Sequence, residues 1–189
     1  MPRMPAVFIG HGSPLNVLER NVYADTWRQL GASLPRPAAI LVVSAHWLLA
    51  RTAVTALPGR RTIHDFRGFP QELFDVRYPA PGDPALAQRV RAQLAPLEVE
   101  LDRTWGLDHG AWSVLVHLAP RADVPVVQLS LDTTRAARFP YELGRQLAPL
   151  CDEGVLFGQQ REDERAESLV AGIELGSISM LSFVVGGVA

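Results

Sequence analysis

The stretch "AAILVVSAHW", residues 38–47, decides the reading of the fold. It is apolar on both alternating faces up to Ser44, as a strand covered on two sides must be. It then ends in a histidine beside a tryptophan, neither of which helps a chain to turn. A second run of the same kind, "AVFIG" (residues 6–10), also ends in a histidine, His11, set between two glycines in "VFIGHGSP". The stretch between the two runs is helical in pattern. Strand, helix and strand of this length predict a βαβ unit with its two strands parallel and adjacent.

Further runs, "VPVVQLSL" (124–131), "GVLFG" (154–158) and "ISMLSFVV" (178–185), read as strands in the same way. Helices are predicted at about Val17 to Leu30, Pro84 to Leu94, Ala111 to Leu118 and Arg135 to Leu150. The second of these opens with Asp83 as N-cap and Pro84 in the first turn. The alternation predicts an α/β fold of three layers, α/β/α, around a central mostly parallel or mixed sheet. A proline-rich segment from Pro58 to Pro84, containing "IHDFRGFP" and "YPAPGDP", is too long and aromatic for a plain linker and reads as a loop covering something.

With 189 residues, 48% of them hydrophobic and 20% charged, the chain fits one domain, residues 1–189. Net charge is −2 and every one of the 18 basic residues is an arginine, so the balance indicates neither a nucleic-acid partner nor an acidic-substrate funnel. The single cysteine, Cys151, cannot close an internal disulfide. The opening residues are too briefly apolar for a signal peptide, and "ISMLSFVVGGVA" is shorter than the roughly 20 residues of a spanning helix. A cytoplasmic protein without a membrane segment is expected.

Two histidines at matching strand ends have a chemical reading. Parallel neighbours lie about 4.8 Å apart, and two imidazoles each about 2.1 Å from one ion span that gap. The glycines around His11 free the backbone to turn and leave room before the ring. His109, in "WGLDHGAW", stands at a predicted helix start, where an imidazolium is disfavoured, so a neutral ring there can serve as a base or a hydrogen-bond partner. Asp108 either caps that helix or holds the ring. His64 sits in the covering loop beside Phe66 and Phe69. His117, inside "VLVHLAP", reads as a surface or core residue without chemistry, and core burial explains Trp47 and Trp112 as well as proximity to a site does.

"GHGSP", "SAHW", "IHDFRGFP", "YPAPG", "GLDHGAW", "VPVVQLSLD" and "GIELGSISML" stand in an order that resembles the class III extradiol ring-cleavage dioxygenases, the LigB superfamily, and within it the DOPA 4,5-dioxygenase-like branch. The resemblance covers residues 5–157 and again 172–185. It implies a single mononuclear metal site, Fe(II) or Zn(II), with His11 and His46 as ligands. It also implies His109 as the acid/base residue, with Ser13, His64, Phe66, Phe69 and Asp108 around the substrate. The implied reaction opens the aromatic ring of a catechol, DOPA-like, with dioxygen.

The pattern departs from the family after "GVLFG". Two later family segments, "GSGxxxHN" and "PxxEH", each bring a further active-site histidine, and neither is found. A polar stretch, "QQREDERAES" (159–168), stands instead, so a deletion seam is expected near residues 158–171 and the C-terminal part is shortened. The chain is then expected to be metal-poor and nearly inactive, unless a carboxylate of Glu162, Asp163, Glu164 or Glu167 replaces a lost ligand; the alternative is a catalytically dead pseudoenzyme of the same fold that binds a metal or ligand. The other reading of that stretch is a solvated linker. A metal-dependent hydrolase finds no GxSxG motif in support. The oligomeric state is not written in the sequence.

Overall fold

The computed structural model describes residues 3–59, 61–157, 166–171, 173–174, 178–180 and 182–185. Its elements in chain order are β1 (Ala6–Ile9), a 3-10 turn (Pro14–Val17), α1 (Val22–Ser33), β2 (Ala39–Leu49), β3 (Ala53–Thr55), α2 (Gln71–Asp75), α3 (Pro84–Gln93), β4 (Glu100–Asp102), α4 (His109–Leu118), β5 (Val126–Asp132), α5 (Phe139–Leu147), α6 (Pro149–Asp152), β6 (Val155–Leu156), β7 (Ala166–Val170), β8 (Ile173–Glu174), β9 (Ile178–Ser179) and β10 (Ser182–Val185). The principal sheet has the order β4-β3-β5-β2-β6. β2 pairs parallel with β5 and β6, β3 pairs parallel with β4, and β3 meets β5 antiparallel, so the sheet is mixed.

Side-chain alternation builds a layer on each face of this sheet. Ile40 and Val126 point to one side, into a core with Trp27 and Leu30 of α1 and Trp112 and Leu115 of α4. Leu41, Val127 and Leu129 point to the other, against Leu86 and Val90 of α3 and Leu147 of α5. Because both faces are covered, β2 and β5 are apolar on consecutive residues, and the three-layer α/β arrangement follows.

The expected βαβ pairing of the first two strands is corrected. β1 belongs to a separate sheet of order β1-β10-β7 and pairs antiparallel with β10, Ala6 facing Val185 and Ile9 facing Ser182. Strand length and an intervening helix do not select a neighbour, and here the long-range pairing prevailed. His46, expected just beyond its strand, lies within β2, which runs to Leu49 with its pairing to β5 interrupted between Val43 and Leu48.

Helix boundaries moved where caps and prolines intervene. Asn21 caps α1 by accepting from the Ala24 N–H, which divides the first predicted helix into a turn and a helix. Pro149 lacks an N–H and divides the last into α5 and α6. No helix among the described residues is long and apolar enough to cross a membrane. Residues 158–165, including Glu162, Asp163 and Glu164, lie outside the described part, and of Glu167 only the backbone is described.

Candidate metal centre

Three elements deliver one imidazole each. His11 follows β1, and Gly12 adopts φ 58°, a left-handed conformation that turns the chain at once into the 3-10 turn. Ser13 caps this turn, accepting from the Leu15 N–H at 3.2 Å. Asn16, buried, donates from Nδ2 to the His11 carbonyl at 3.2 Å and receives a hydrogen bond from Asn21 at 2.6 Å. The His11 loop is therefore held from behind by two amide side chains.

The Nε2 atoms of His11 and His46 are 2.9 Å apart. His109, the first residue of α4, brings its ring to 3.9 Å from that of His46 and 5.5 Å from that of His11, centroid to centroid. One nitrogen from each of the three rings lies within 4.8 Å of the other two.

This convergence depends on a glycine. A side-chain carbon at Gly110 would fall 2.6 Å from Ser44 Oγ and 2.7 Å from His46 Cδ2, so only glycine lets β2 and its histidine approach the start of α4 so closely. The approach is locked by buried polar bonds. Ser44 donates to Asp108 Oδ1 at 2.7 Å, Gln128 donates from Nε2 to Asp108 Oδ2 at 2.5 Å, and the Ala111 N–H donates to Asp108 Oδ1 at 3.2 Å. Asp108 thus caps α4 and ties it to β2 and β5. It is fully buried. The carboxylate belongs to the frame behind the histidines.

The covering segment reaches the cluster from the other side. Leu107 exchanges backbone bonds with this segment, its N–H donating to the Arg61 carbonyl at 2.9 Å and its carbonyl accepting from the Ile63 N–H at 2.7 Å. Trp112, fully buried, donates from Nε1 to the Ile63 carbonyl at 2.8 Å. Phe66 sets its ring edge-to-face with His109 at 5.5 Å, and Phe69 packs on Phe66 at 5.1 Å. His64 lies among Phe66, Phe74 and Trp112 and donates from Nε2 to the Val76 carbonyl at 3.1 Å. That bond makes it a strut within the segment.

Asp65, which the motif reading passed over, accepts hydrogen bonds on Oδ1 from the His109 backbone N–H at 2.9 Å and from its Nδ1 at 2.8 Å. The signal for it was an acid next to His64 in a segment already read as a cover. No spacing rule links it to His109.

The electrostatics disfavour protonation of His11 and His46. Desolvation first, and then the neighbouring His46 and His109, push His11 down to about 4. His46 is lowered in the same way, by desolvation and then by His109. Burial alone would raise Asp65, but its hydrogen bonds from His109 outweigh that and hold it below the ordinary carboxylate range.

Neutral imidazoles with converging nitrogens are the donor set that Zn(II) or Fe(II) takes. Two nitrogens each about 2.0–2.1 Å from one ion stand roughly 3 Å apart at a right angle, close to the His11–His46 separation. Among the described residues, the buried Nδ1 of His11 has no hydrogen-bond partner. The residues fit a metal.

A family model, the catalytic LigB subunit of aromatic ring-opening dioxygenase, matches residues 6–158. Over 155 residues the chain is 58% identical to a 4,5-DOPA dioxygenase extradiol of Escherichia coli strain K12, covering 82% of this chain and 57% of that protein. Over 156 residues it is 43% identical to a 4,5-DOPA dioxygenase extradiol of Beta vulgaris, covering 79% and 58% respectively. The chain therefore spans little more than half the length of these curated relatives. Among solved structures, that of an uncharacterized protein from Escherichia coli K12 superposes with a TM-score of 0.83 at 35% identity, covering 97% of this chain and 100% of that one.

Proposed function

The chain belongs to the LigB family of aromatic ring-opening dioxygenases, and from that premise we propose that its histidine cluster is the metal-binding part of an extradiol site acting on a catechol of DOPA type. The observation that carries this reading is the meeting of His11, His46 and His109 within 4.8 Å under Phe66. His11 and His46 would hold one Fe(II) or Zn(II) ion through Nε2. A bound Fe(II) supplies Lewis acidity toward the diol and the redox capacity that dioxygen chemistry requires.

The chain's own residues do the rest. With Nδ1 engaged by Asp65, His109 presents Nε2, which accepts a proton from a catechol hydroxyl. Phe66, backed by Phe69 and Trp112, supplies an apolar wall for an aromatic ring and shields His109 from water. The low proton affinity of His11 and His46 leaves their lone pairs available at neutral pH. Ser13 stabilises the turn that presents His11. We assign the protein a cytoplasmic setting, and a small-molecule catechol and dioxygen as its partners.

A second reading, a family member that binds metal but turns nothing over, is favoured by one observation, the chain's coverage of only 57–58% of its curated relatives. Anaerobic addition of Fe(II), followed by DOPA and oxygen, tests both. Oxygen uptake with the absorbance of a ring-opened product supports the dioxygenase. One bound metal without oxygen uptake supports the binding protein, and no bound metal refutes both.

A further inference from the structure

Asp65 makes two bonds to a single residue with a single oxygen, one to the backbone and one to the ring of His109. The side chains are well shielded, 19% exposed for Asp65 and 9% for His109, so water replaces neither bond freely. We infer that Asp65 is a positioning residue: it selects the Nδ1–H tautomer of His109, directs Nε2 toward His11 and His46, and couples the docking of residues 61–81 to the completeness of the histidine cluster.

The chemistry of the contact requires this direction. An ionised carboxylate only accepts, so the ring nitrogen facing it carries the proton, and in the neutral ring it is the opposite nitrogen that keeps its lone pair. The backbone bond places the oxygen independently of the ring, because the first N–H groups of a helix have no partner within it. Asp108 cannot substitute, although it adjoins His109 in sequence, since its two oxygens are taken by Ser44, Gln128 and the Ala111 N–H.

Coupling to the segment follows from the chain path. Asp65 sits between Ile63, which is bonded to Leu107 and Trp112, and Phe66, whose ring meets His109. If the segment lifts, the acceptor that fixes the ring leaves with it. By reciprocity, anything that fixes the ring must also hold the segment down.

The inference rests on reading His109 as part of the site, and the experiment separates the two. It uses the full chain, 15N-labelled, stripped with chelator and then titrated with Zn(II) alone. In the unsubstituted, metal-free chain, imidazole 15N spectra should show His109 protonated at Nδ1, and added Zn(II) should slow amide exchange across residues 61–81. In Asp65→Ala the pure Nδ1–H state should be lost, Zn(II) affinity should fall about 10- to 100-fold, and the protection of residues 61–81 should disappear. In Asp65→Asn, whose side-chain oxygen is still held by the His109 N–H, the tautomer should persist and the loss of affinity should be smaller. An Ala variant with His109 still purely Nδ1–H and unchanged Zn(II) affinity overturns the inference. If that variant does not fold, the Asn variant decides: a retained Nδ1–H supports the inference and a ring protonated only on Nε2 overturns it. Failure of the unsubstituted chain to bind Zn(II) would sink the metal reading alone, because the tautomer is read without metal.

Discussion

Helix α4 carries a histidine at each end, and the two are nearly identical by the usual measures. His109 is 7% exposed and His117 6%, and each has one ring nitrogen in a protein hydrogen bond. His109 gives its Nδ1 to a carboxylate, whereas His117 bonds through Nε2 to the carbonyl of Asn16 at 2.9 Å. What differs is the space in front of the other nitrogen. His109 faces two more imidazoles, while the ring of His117 lies 5.9 Å from that of Trp27, within the core. Burial and a satisfied bond describe both residues, so neither marks a site. Convergence of several donors does.

The sharpest way to break this contrast is to remove a donor at one end and compare it with the other. Losing a group that merely supports a ligand typically costs 10- to 100-fold in metal affinity, so His11→Ala and His46→Ala should each weaken Zn(II) binding by more than about 100-fold, read by competition with a chromophoric chelator. His117→Gln should leave the same titration unchanged. Equal losses at the two ends would dissolve the distinction.

A less direct lesion is Gly110→Ala, which alters no donor. Its new carbon would meet Ser44 Oγ and the His46 ring, so the ring must move. Zn(II) affinity should drop about 10- to 100-fold while the far-UV circular dichroism is retained. Unchanged binding would show that close approach of β2 to α4 is dispensable.

Acid should act mainly on the cluster. The folded chain holds His11 near 4, below its unfolded value of 6.5, so between those two values the unfolded state binds the proton that the folded state refuses. Stability of the chelator-treated chain should therefore fall as the pH drops from about 6.5 toward 4, as urea midpoints at fixed pH would record. His46 and His117, also lowered, add to the same trend. The lowered carboxyls of Asp65 and Asp102 begin to lose their contribution only as pH falls past their ordinary value of 3.8, so the two windows separate. His11→Gln should flatten the upper window, and a slope that survives the substitution would assign it to other groups.

The smallest effect belongs to His117 itself. Its bond to Asn16 stabilises the fold rather than the cluster, and His117→Gln should cost about 1 kcal/mol by chemical denaturation. A loss of metal binding larger than the loss of stability would mean that Asn16 transmits strain to His11, whose carbonyl it holds.

Much of this was legible because apolar patterns report burial. β2 and β5 are covered on both faces and read as strands, and Asp83 followed by Pro84 marked the start of α3 correctly. β3 and β4, three residues each, carry too little pattern to announce themselves, and α2 hid inside the segment taken as a loop. Pairing was the larger gap. Nothing local in "AVFIG" says that its partner is β10, since backbone hydrogen bonds are the same for any neighbour. His11, His46 and His109 stood out because glycine or a strand end beside a histidine is locally odd. Asp65 did not, because its meaning depends on a residue 44 positions away.

The pairing of β1 with β10 bears on the order of events at the ribosome. β1 is made well before β10, its hydrogen-bonded neighbour, so during synthesis the His11 loop waits without that strand partner while the layers around β2 and β5 are already able to assemble. Such a late, non-local closure is slow and leaves an open strand edge in the meantime. His46 and His109, by contrast, belong to elements that can pack before β10 is made. The nascent protein would hold two of its three imidazoles in register before β10 fixes the strand that carries the third, and assembly of the full set would wait for that pairing.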